Sequence, residues 1–261
     1  MEKHQRDSIS YLTFSSFDKE EKVVHGIFKR MGGCSPDPWK SLNLSTTVGD
    51  SRENVIENRA RIMQALNLPK DDFFDVWQVH STNVVETDRP RPRDQTYVQG
   101  DAIITNKPGV ALLMRFADCV PILMYDPIHF AIGLVHAGWV GSIQKIAKKT
   151  VERMKEVYGT NSEKLIVGIG PSIGVDHYPV GKEVTEKTKI SFPLKWQMLI
   201  FNKDGQDHLD LWKTNELVLQ ELGVMNIEQS QICTVSNTDD WYSHRGENGK
   251  TGRFGVVICL K

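Results

Sequence analysis

Three side chains in this sequence have the chemistry of zinc ligands and stand at the ends of apolar segments. His80 follows Trp77-Gln78-Val79. Cys119 closes Ala117-Asp118-Cys119 ahead of Val120-Pro121. His136 stands in Val135-His136-Ala137-Gly138-Trp139, just before a helical segment. Strand ends are where scaffolds present functional groups on adjoining loops. Two imidazoles and a thiolate suit zinc, and three protein ligands leave the fourth tetrahedral position open to water or substrate. The separations of 39 and 17 positions form no compact motif such as CxxC or HxxxH. On residue type alone the metal centre competes with a plainer reading, in which His136 is a hydrogen-bonded core histidine and Cys119 a buried apolar thiol. Asp118 bears on the choice, because it places a carboxylate inside ALLMRFADCVPILMY. An unpartnered charge there costs on the order of several kcal/mol, and Arg115 is a candidate partner nearby. Gly138 and Gly141 around Trp139 allow close backbone approach at a helix start, a place that receives anions.

The elements that must hold these groups are mostly strands. Candidates are Val23–Phe28, Phe74–Val79, Asn83–Thr87, Ala102–Thr105, Val110–Phe116, Ile122–Tyr125, Ala131–Val135, Leu165–Ile169, Gln231–Val235 and Phe254–Cys259. Several are continuous apolar runs, the pattern of strands covered on both faces. Three helices are predicted. One begins at Asp50 with Glu53 in capping-box spacing. One runs from about Ser142 to Tyr158 with Gly159 as its stop, and one from about Asp210 to Leu222. Strands outnumber helices and follow one another without helices between them, which disfavours a βαβ repeat. The expected fold is a mixed-sheet α/β (mixed α+β) single domain spanning residues 1–261, with helices packed outside. The segment Asp88 to Gln99 reads as a surface loop within it.

Composition narrows the function. The chain has 261 residues, 39% hydrophobic and 25% charged, with a net charge of -1. That is an ordinary globular composition, without the basic excess of a nucleic-acid binder. The first twenty residues are polar and read as no signal peptide, and no apolar run reaches membrane-spanning length. Four separated cysteines, Cys34, Cys119, Cys233 and Cys259, are expected as reduced thiols in a cytoplasmic protein. Nothing points to oligomerisation, so a monomer is expected.

In motif order the sequence resembles the YfiH-like, laccase-domain family, whose members are described as purine nucleoside phosphorylases and were once known as multicopper polyphenol oxidases. The resemblance covers nearly the whole chain. It runs through HGIFKRMGGCS, SLNLSTTVGD, ENRARI, WQVHSTNV, GDAIIT, ADCVPIL, HAGWVGS, GIGPSIG, YPVG and SHRGENGKTGRF. It implies that His80, Cys119 and His136 are zinc ligands, and that the substrates are purine nucleosides and phosphate. Phosphorolysis of adenosine and inosine is implied, with adenosine deamination and methylthioadenosine cleavage as related activities. Metal-activated water accounts directly for deamination. Phosphorolysis needs phosphate held and charge stabilised on the departing base. Arg30, Arg59 and Arg245, three arginines within matched motifs, are the expected phosphate or substrate contacts. Arg59 is also read as a structural arginine on a helix. Asn43 is expected to position ribose or simply to cap its turn, and Asp118 to orient a ligand histidine or tie a strand end to backbone amides. His25 and His244 are candidate pocket residues outside the metal set. Two departures stand out: Val140 replaces the arginine of the usual HAGWRG, and SHRG replaces SYRR. If either missing arginine contacts phosphate or substrate, substrate handling changes here.

Three rival readings stay open at this level. A laccase-like copper oxidase needs many histidines in close pairs, whereas this chain has eight histidines and none separated from another by a single residue. Copper at the His2Cys set is then a side activity. A cysteine hydrolase would use Cys119 as nucleophile and a histidine as base, and would survive chelation. A nucleoside-binding or cell-wall-fragment sensor would convert nothing.

Overall fold

The computed structural model describes residues 1–92 and 94–261. Two six-stranded mixed sheets form its centre. In the first, Glu2–Arg6, Ile9–Thr13, Val23–Phe28, Phe254–Leu260 and Ala111–Phe116 are antiparallel neighbours in that order, and Phe73–Phe74 adds a parallel edge. In the second, Asn226–Gln229 pairs in parallel with Ile166–Ile169. Val120–Asp126, Ala131–Ala137 and Ala102–Thr105 follow as antiparallel neighbours, with Val84–Glu86 as a parallel edge. A smaller antiparallel sheet joins Pro179–Val180, Gln206–Leu209 and Ile200–Lys203.

Side-chain alternation sorts these strands into layers. Leu112, Met114 and Phe116 of the first sheet meet Leu123, Tyr125, Ile132 and Leu134 of the second in one apolar cluster. The outer face of the first sheet, through Ala111, Leu113 and Val257, packs on Ile62, Met63 and Ala65 of the helix Arg52–Ala65. The outer face of the second, through Val120, Ile122 and Met124, packs on the helices Ile146–Tyr158 and Leu211–Glu221. The order helix, sheet, sheet, helix is the mixed α+β arrangement expected. It explains the unbroken apolar runs, because every residue of Val120–Asp126 and Ala131–Ala137 is buried. Each fully buried Val, Leu or Ile there stabilises the fold by roughly 1.5–3 kcal/mol.

Where the structure differs from the sequence reading, the causes are local. The helix predicted from Asp50 begins at Arg52. Ser51 is its cap, accepting the Asn54 N–H, while Asp50 turns to accept from Ser35, Asn43 and Ser51. The helix predicted from Ser142 to Tyr158 is two, Trp139–Ile143 and Ile146–Tyr158, separated at Lys145, whose φ is 60°. The strand predicted over Phe74–Val79 stops at Phe74. Beyond it only a bridge from Trp77 to Gln99 continues the pairing, and Asp75 is drawn inward among arginines. Gln231–Val235 keeps a single bridge, Cys233 to Ser172, the strand lying earlier at Asn226–Gln229. The exposed strand Glu2–Arg6 and the helix Lys182–Ser191, whose buried residues are both threonines, carry too little apolar periodicity to be read. In the predicted loop 88–99, Arg93 lies outside the described residues, and Arg91 reaches inward to Asp75. No helix of the described residues is long and apolar enough to cross a membrane.

Candidate metal centre

His80, Cys119 and His136 converge where the two sheets meet the helical layer. His136 is on the strand Ala131–Ala137, Cys119 immediately precedes Val120–Asp126, and His80 lies on the loop after the Trp77 bridge. The antiparallel register sets Val120 opposite Ala137 and so brings Cys119 beside His136. One ligand atom from each of the three lies within 4.8 Å of the others, and Cys119 Sγ stands 3.8 Å from His80 Nε2. Zinc–nitrogen and zinc–sulfur bond lengths put the ligand atoms of a tetrahedral site about 3.5 Å apart, so a small adjustment closes this set on an ion. Among the described residues this is the single cluster of at least three such ligand groups.

Asp101 organises the set. Wholly buried, it receives His136 Nδ1 at 2.9 Å, which directs the other ring nitrogen toward Cys119 and His80. The same carboxylate accepts the backbone N–H groups of Val79 at 3.2 Å, His80 at 3.1 Å and Ser81 at 2.6 Å, and the Ser81 hydroxyl at 2.8 Å. These bonds hold His80 in the left-handed region, with φ at 57°, a conformation that costs about 1–3 kcal/mol in a residue other than glycine. Asp118 is similarly constrained at φ 82°. Its carboxylate accepts Thr234 Oγ1 at 2.6 Å, Ser243 Oγ at 2.7 Å and the Arg245 N–H at 2.6 Å. Gly138 lies against the ligands, where a Cβ would stand 3.0 Å from both Cys119 Sγ and His80 Cδ2. The close approach read from the sequence is therefore to the ligand set.

The electrostatics favour a cation at the point of convergence. Burial alone raises the Cys119 thiol, but the imidazoles of His136 and His80 more than reverse it and bring the thiol to about 6. Burial alone lowers His136, yet the Cys119 sulfur and the Asp101 carboxylate outweigh it and raise the imidazole to about 9. Burial would also raise Asp101, but the hydrogen bonds from His136 and Ser81 hold it below the usual carboxylate range. An anionic sulfur with a buried carboxylate behind the histidine holds a proton on His136, and the same field favours a metal dication in its place.

The three groups sit in a cleft of about 420 Å³. Its lining includes the aromatic side chains of Trp77, Tyr97, Trp139 and Tyr178 and the cations Arg115, Arg245 and Arg253. Of the expected contacts, Asp118, Arg245 and His244 line this cleft. Arg30 and Arg59 are outside its lining. Arg30 pairs with Glu247 at 3.0 Å and donates to Thr238 O at 2.6 Å, with its guanidinium over Tyr242. Arg59 pairs with buried Asp75 and donates twice to Leu44 O. Asn43 is fully buried behind the lining, and Asp118 spends its oxygens anchoring the loop after Ser243. His25 is in the core, where Nε2 accepts the Phe14 N–H at 2.7 Å, so it is no pocket residue. Arg115, the candidate partner for Asp118, instead meets Asp75 and Gln78. Sequence reasoning passed over Asp101 and Arg253. Asp101 lies in GDAIIT and Arg253 in SHRGENGKTGRF, and a search for polar residues inside those motifs would have raised them.

A family described as multi-copper polyphenol oxidoreductase laccase matches residues 24–261. A purine nucleoside phosphorylase of Deinococcus radiodurans is 37% identical over 238 residues, covering 91% of this chain and 89% of its own. One of Bacteroides thetaiotaomicron is 33% identical over 258 residues, covering 95% and 96%. Among solved structures, YlmD from Geobacillus stearothermophilus superposes with a TM-score of 0.91 at 31% identity, covering 99% of this chain and 98% of its own. YfiH from Bacillus licheniformis gives 0.89 at 29% identity, covering 98% and 97%. With the match spanning the cleft lining and the positions of His80, Cys119 and His136, this chain belongs to the multi-copper polyphenol oxidoreductase laccase family.

Proposed function

We propose that this chain is a zinc-dependent purine nucleoside phosphorylase of the cytoplasm, acting as a monomer on adenosine and inosine, with adenosine deamination and methylthioadenosine cleavage as accompanying activities. The observation that carries the reading is the convergence of His80, Cys119 and His136 in the lining of a cleft that also holds aromatic rings and guanidinium groups. Its similarity to proteins named purine nucleoside phosphorylase supports the same reading. The donor set fits zinc, which when bound supplies Lewis acidity at the position the protein leaves open. Trp77, Tyr97, Trp139 and Tyr178 offer faces against which a purine ring stacks. The cationic wall suits phosphate and the charge that develops in the reaction. In phosphorolysis a phosphate oxygen bonds to the ribose C1′ as the C1′–N bond breaks. The bonding pair leaves with the base, which takes up a proton.

The test is incubation of zinc-loaded, copper-free protein with adenosine or inosine and phosphate. Ribose-1-phosphate and free base are the expected products, with inosine from adenosine reporting deamination. Cys119→Ala is expected to lose zinc affinity by more than about 100-fold and both conversions with it. Full zinc occupancy and turnover in that variant would sink the proposal. Retained turnover after chelation points instead to a thiol hydrolase, and turnover that needs copper points to an oxidase.

A further inference from the structure

We propose that Arg253 and the hydroxyl-bearing loop Ser45-Thr46-Thr47 form an oxyanion subsite that takes inorganic phosphate, with Asn43 as its positioning residue. The subsite rests on the phosphorylase reading and gives it a residue set different from the one the motifs suggested.

Three guanidinium groups line the cleft, and they differ in what they have left to give. Arg115 is committed: its Nε donates to Gln78 Oε1 and its terminal nitrogens to Val76 O and Asp75. Arg245 is exposed, lies over the Tyr178 ring and donates to Pro179 O at 3.3 Å. Arg253 is half-buried, and its hydrogen bonds are to carbonyls of its own loop, from one terminal nitrogen to Thr251 O at 3.3 Å and Gly252 O at 2.8 Å. Among the described residues it forms no ion pair, unlike Arg30 and Arg59. No carboxylate of the described residues lies within ion-pair distance of it, and the Cys119 and Asp118 charges act on it only from farther off. A half-buried guanidinium so placed gains from an anion that meets it directly, and its planar fork matches phosphate oxygens.

The neighbouring loop is fastened to Arg253 by one buried amide. Asn43 Oδ1 accepts both the Ser45 N–H at 3.1 Å and the Arg253 N–H at 2.9 Å. Asn43 Nδ2 donates to Ser45 O at 2.9 Å and Asp50 Oδ2 at 2.8 Å. Leu44 N in turn donates to Arg253 O at 3.0 Å. The loop is thus curved and set beside Arg253 by contacts that use every donor and acceptor of the amide. Thr46 and Thr47 are exposed on the cleft wall; the Thr47 hydroxyl bonds the buried Ser45 hydroxyl at 2.8 Å, and the Thr46 hydroxyl is the neutral donor offered to the cleft. One cation with an adjoining hydroxyl, in the cleft that holds the metal ligands, is a complement for a small oxyanion.

The experiment is calorimetric titration of zinc-loaded protein with inorganic phosphate, without nucleoside, alongside KM measurements for phosphate and for nucleoside. Arg253→Gln is expected to weaken phosphate binding at least about tenfold and to raise the phosphate KM in parallel. Zinc stoichiometry and nucleoside KM stay within about twofold of the parent. Thr46→Val, an exposed change that leaves the fold intact, is expected to weaken phosphate by about threefold or more. Asn43→Ala is expected to raise the phosphate KM with zinc retained. Parent-like phosphate affinity in both Arg253→Gln and Thr46→Val overturns the subsite. So does loss of zinc from Arg253→Gln with phosphate affinity unchanged, which would make Arg253 a counter-charge to Cys119. Arg253-dependent phosphate binding in a protein that cleaves no nucleoside upholds the subsite and removes the phosphorylase reading. Nucleoside cleavage with an unchanged phosphate KM does the reverse.

Discussion

Asp101 makes one ligand set out of two histidines that belong to different parts of the chain. It fixes the His136 ring through Nδ1 and the His80 backbone through three consecutive N–H groups. In Asp101→Asn the amide cannot accept from all of these donors, so the His136 ring loses its orientation and the strained His80 turn relaxes. Zinc affinity is expected to fall by about 10- to 100-fold in a competition titration against a chromophoric chelator. Unchanged affinity would reduce Asp101 to a loop anchor. The three metal-competent groups could be picked out in the sequence because donor chemistry resides in residue type, while their assignment to one set came from the motif resemblance. Asp101 was not legible there, because a carboxylate beside a glycine declares no partner until strand pairing sets Ala102 opposite Val135 and the carboxylate beneath His136.

At the scale of elements, the site depends on how closely the turn after Ala131–Ala137 approaches the Cys119 turn. Gly138 has a φ of -71°, which any residue tolerates, so its requirement is space alone. Gly138→Ala brings a methyl group to 3.0 Å from Cys119 Sγ and the His80 ring, tighter than ordinary contact. The expected outcome is displaced ligands and loss of bound zinc by elemental analysis, with the fold destabilised by about 1–3 kcal/mol. A variant with parent-like zinc content would show that the loop yields at no cost. Element boundaries were less legible than element types. The sequence marked a helix start near Asp50 correctly in kind and one residue early as a cap. It also ran two helices together across Lys145, because apolar periodicity continues through a left-handed break that residue type does not announce.

The whole molecule carries a stability dependence set by His25. The imidazole projects from the strand Val23–Phe28 to the Phe14 turn, stacked with the Phe14 ring and tilted against Phe17. Burial is the main cause that lowers it to about 3, with the His4 charge adding and the Glu228 charge opposing. The unfolded chain takes up this proton below about 6.5 and the native state does not. Native stability therefore falls as pH drops from about 6.5 toward 3, by about 1.4 kcal/mol per unit from this group, and is flat above that window. Denaturant melts of the parent and His25→Gln between pH 7 and pH 5 test this. The variant is expected to be less stable at pH 7 and to lose this part of the slope, whereas parallel pH curves would refute the assignment.

The donor chemistry and the layered core follow from the sequence, since both are written in residue type and in periodicity. His80, Cys119 and His136 are metal-competent wherever they lie, and runs such as Val120–Asp126 are apolar enough to require cover on both faces. Which charges face the cleft follows from the packed fold. Arg30, Arg59 and Arg253 all lie in matched motifs, but Glu247 and Asp75 pair the first two, and Arg253 is left beside the Ser45-Thr46-Thr47 loop. An arginine's role depends on the nearest carboxylate, and that carboxylate is brought near by sheet pairing across long stretches of chain rather than by local sequence.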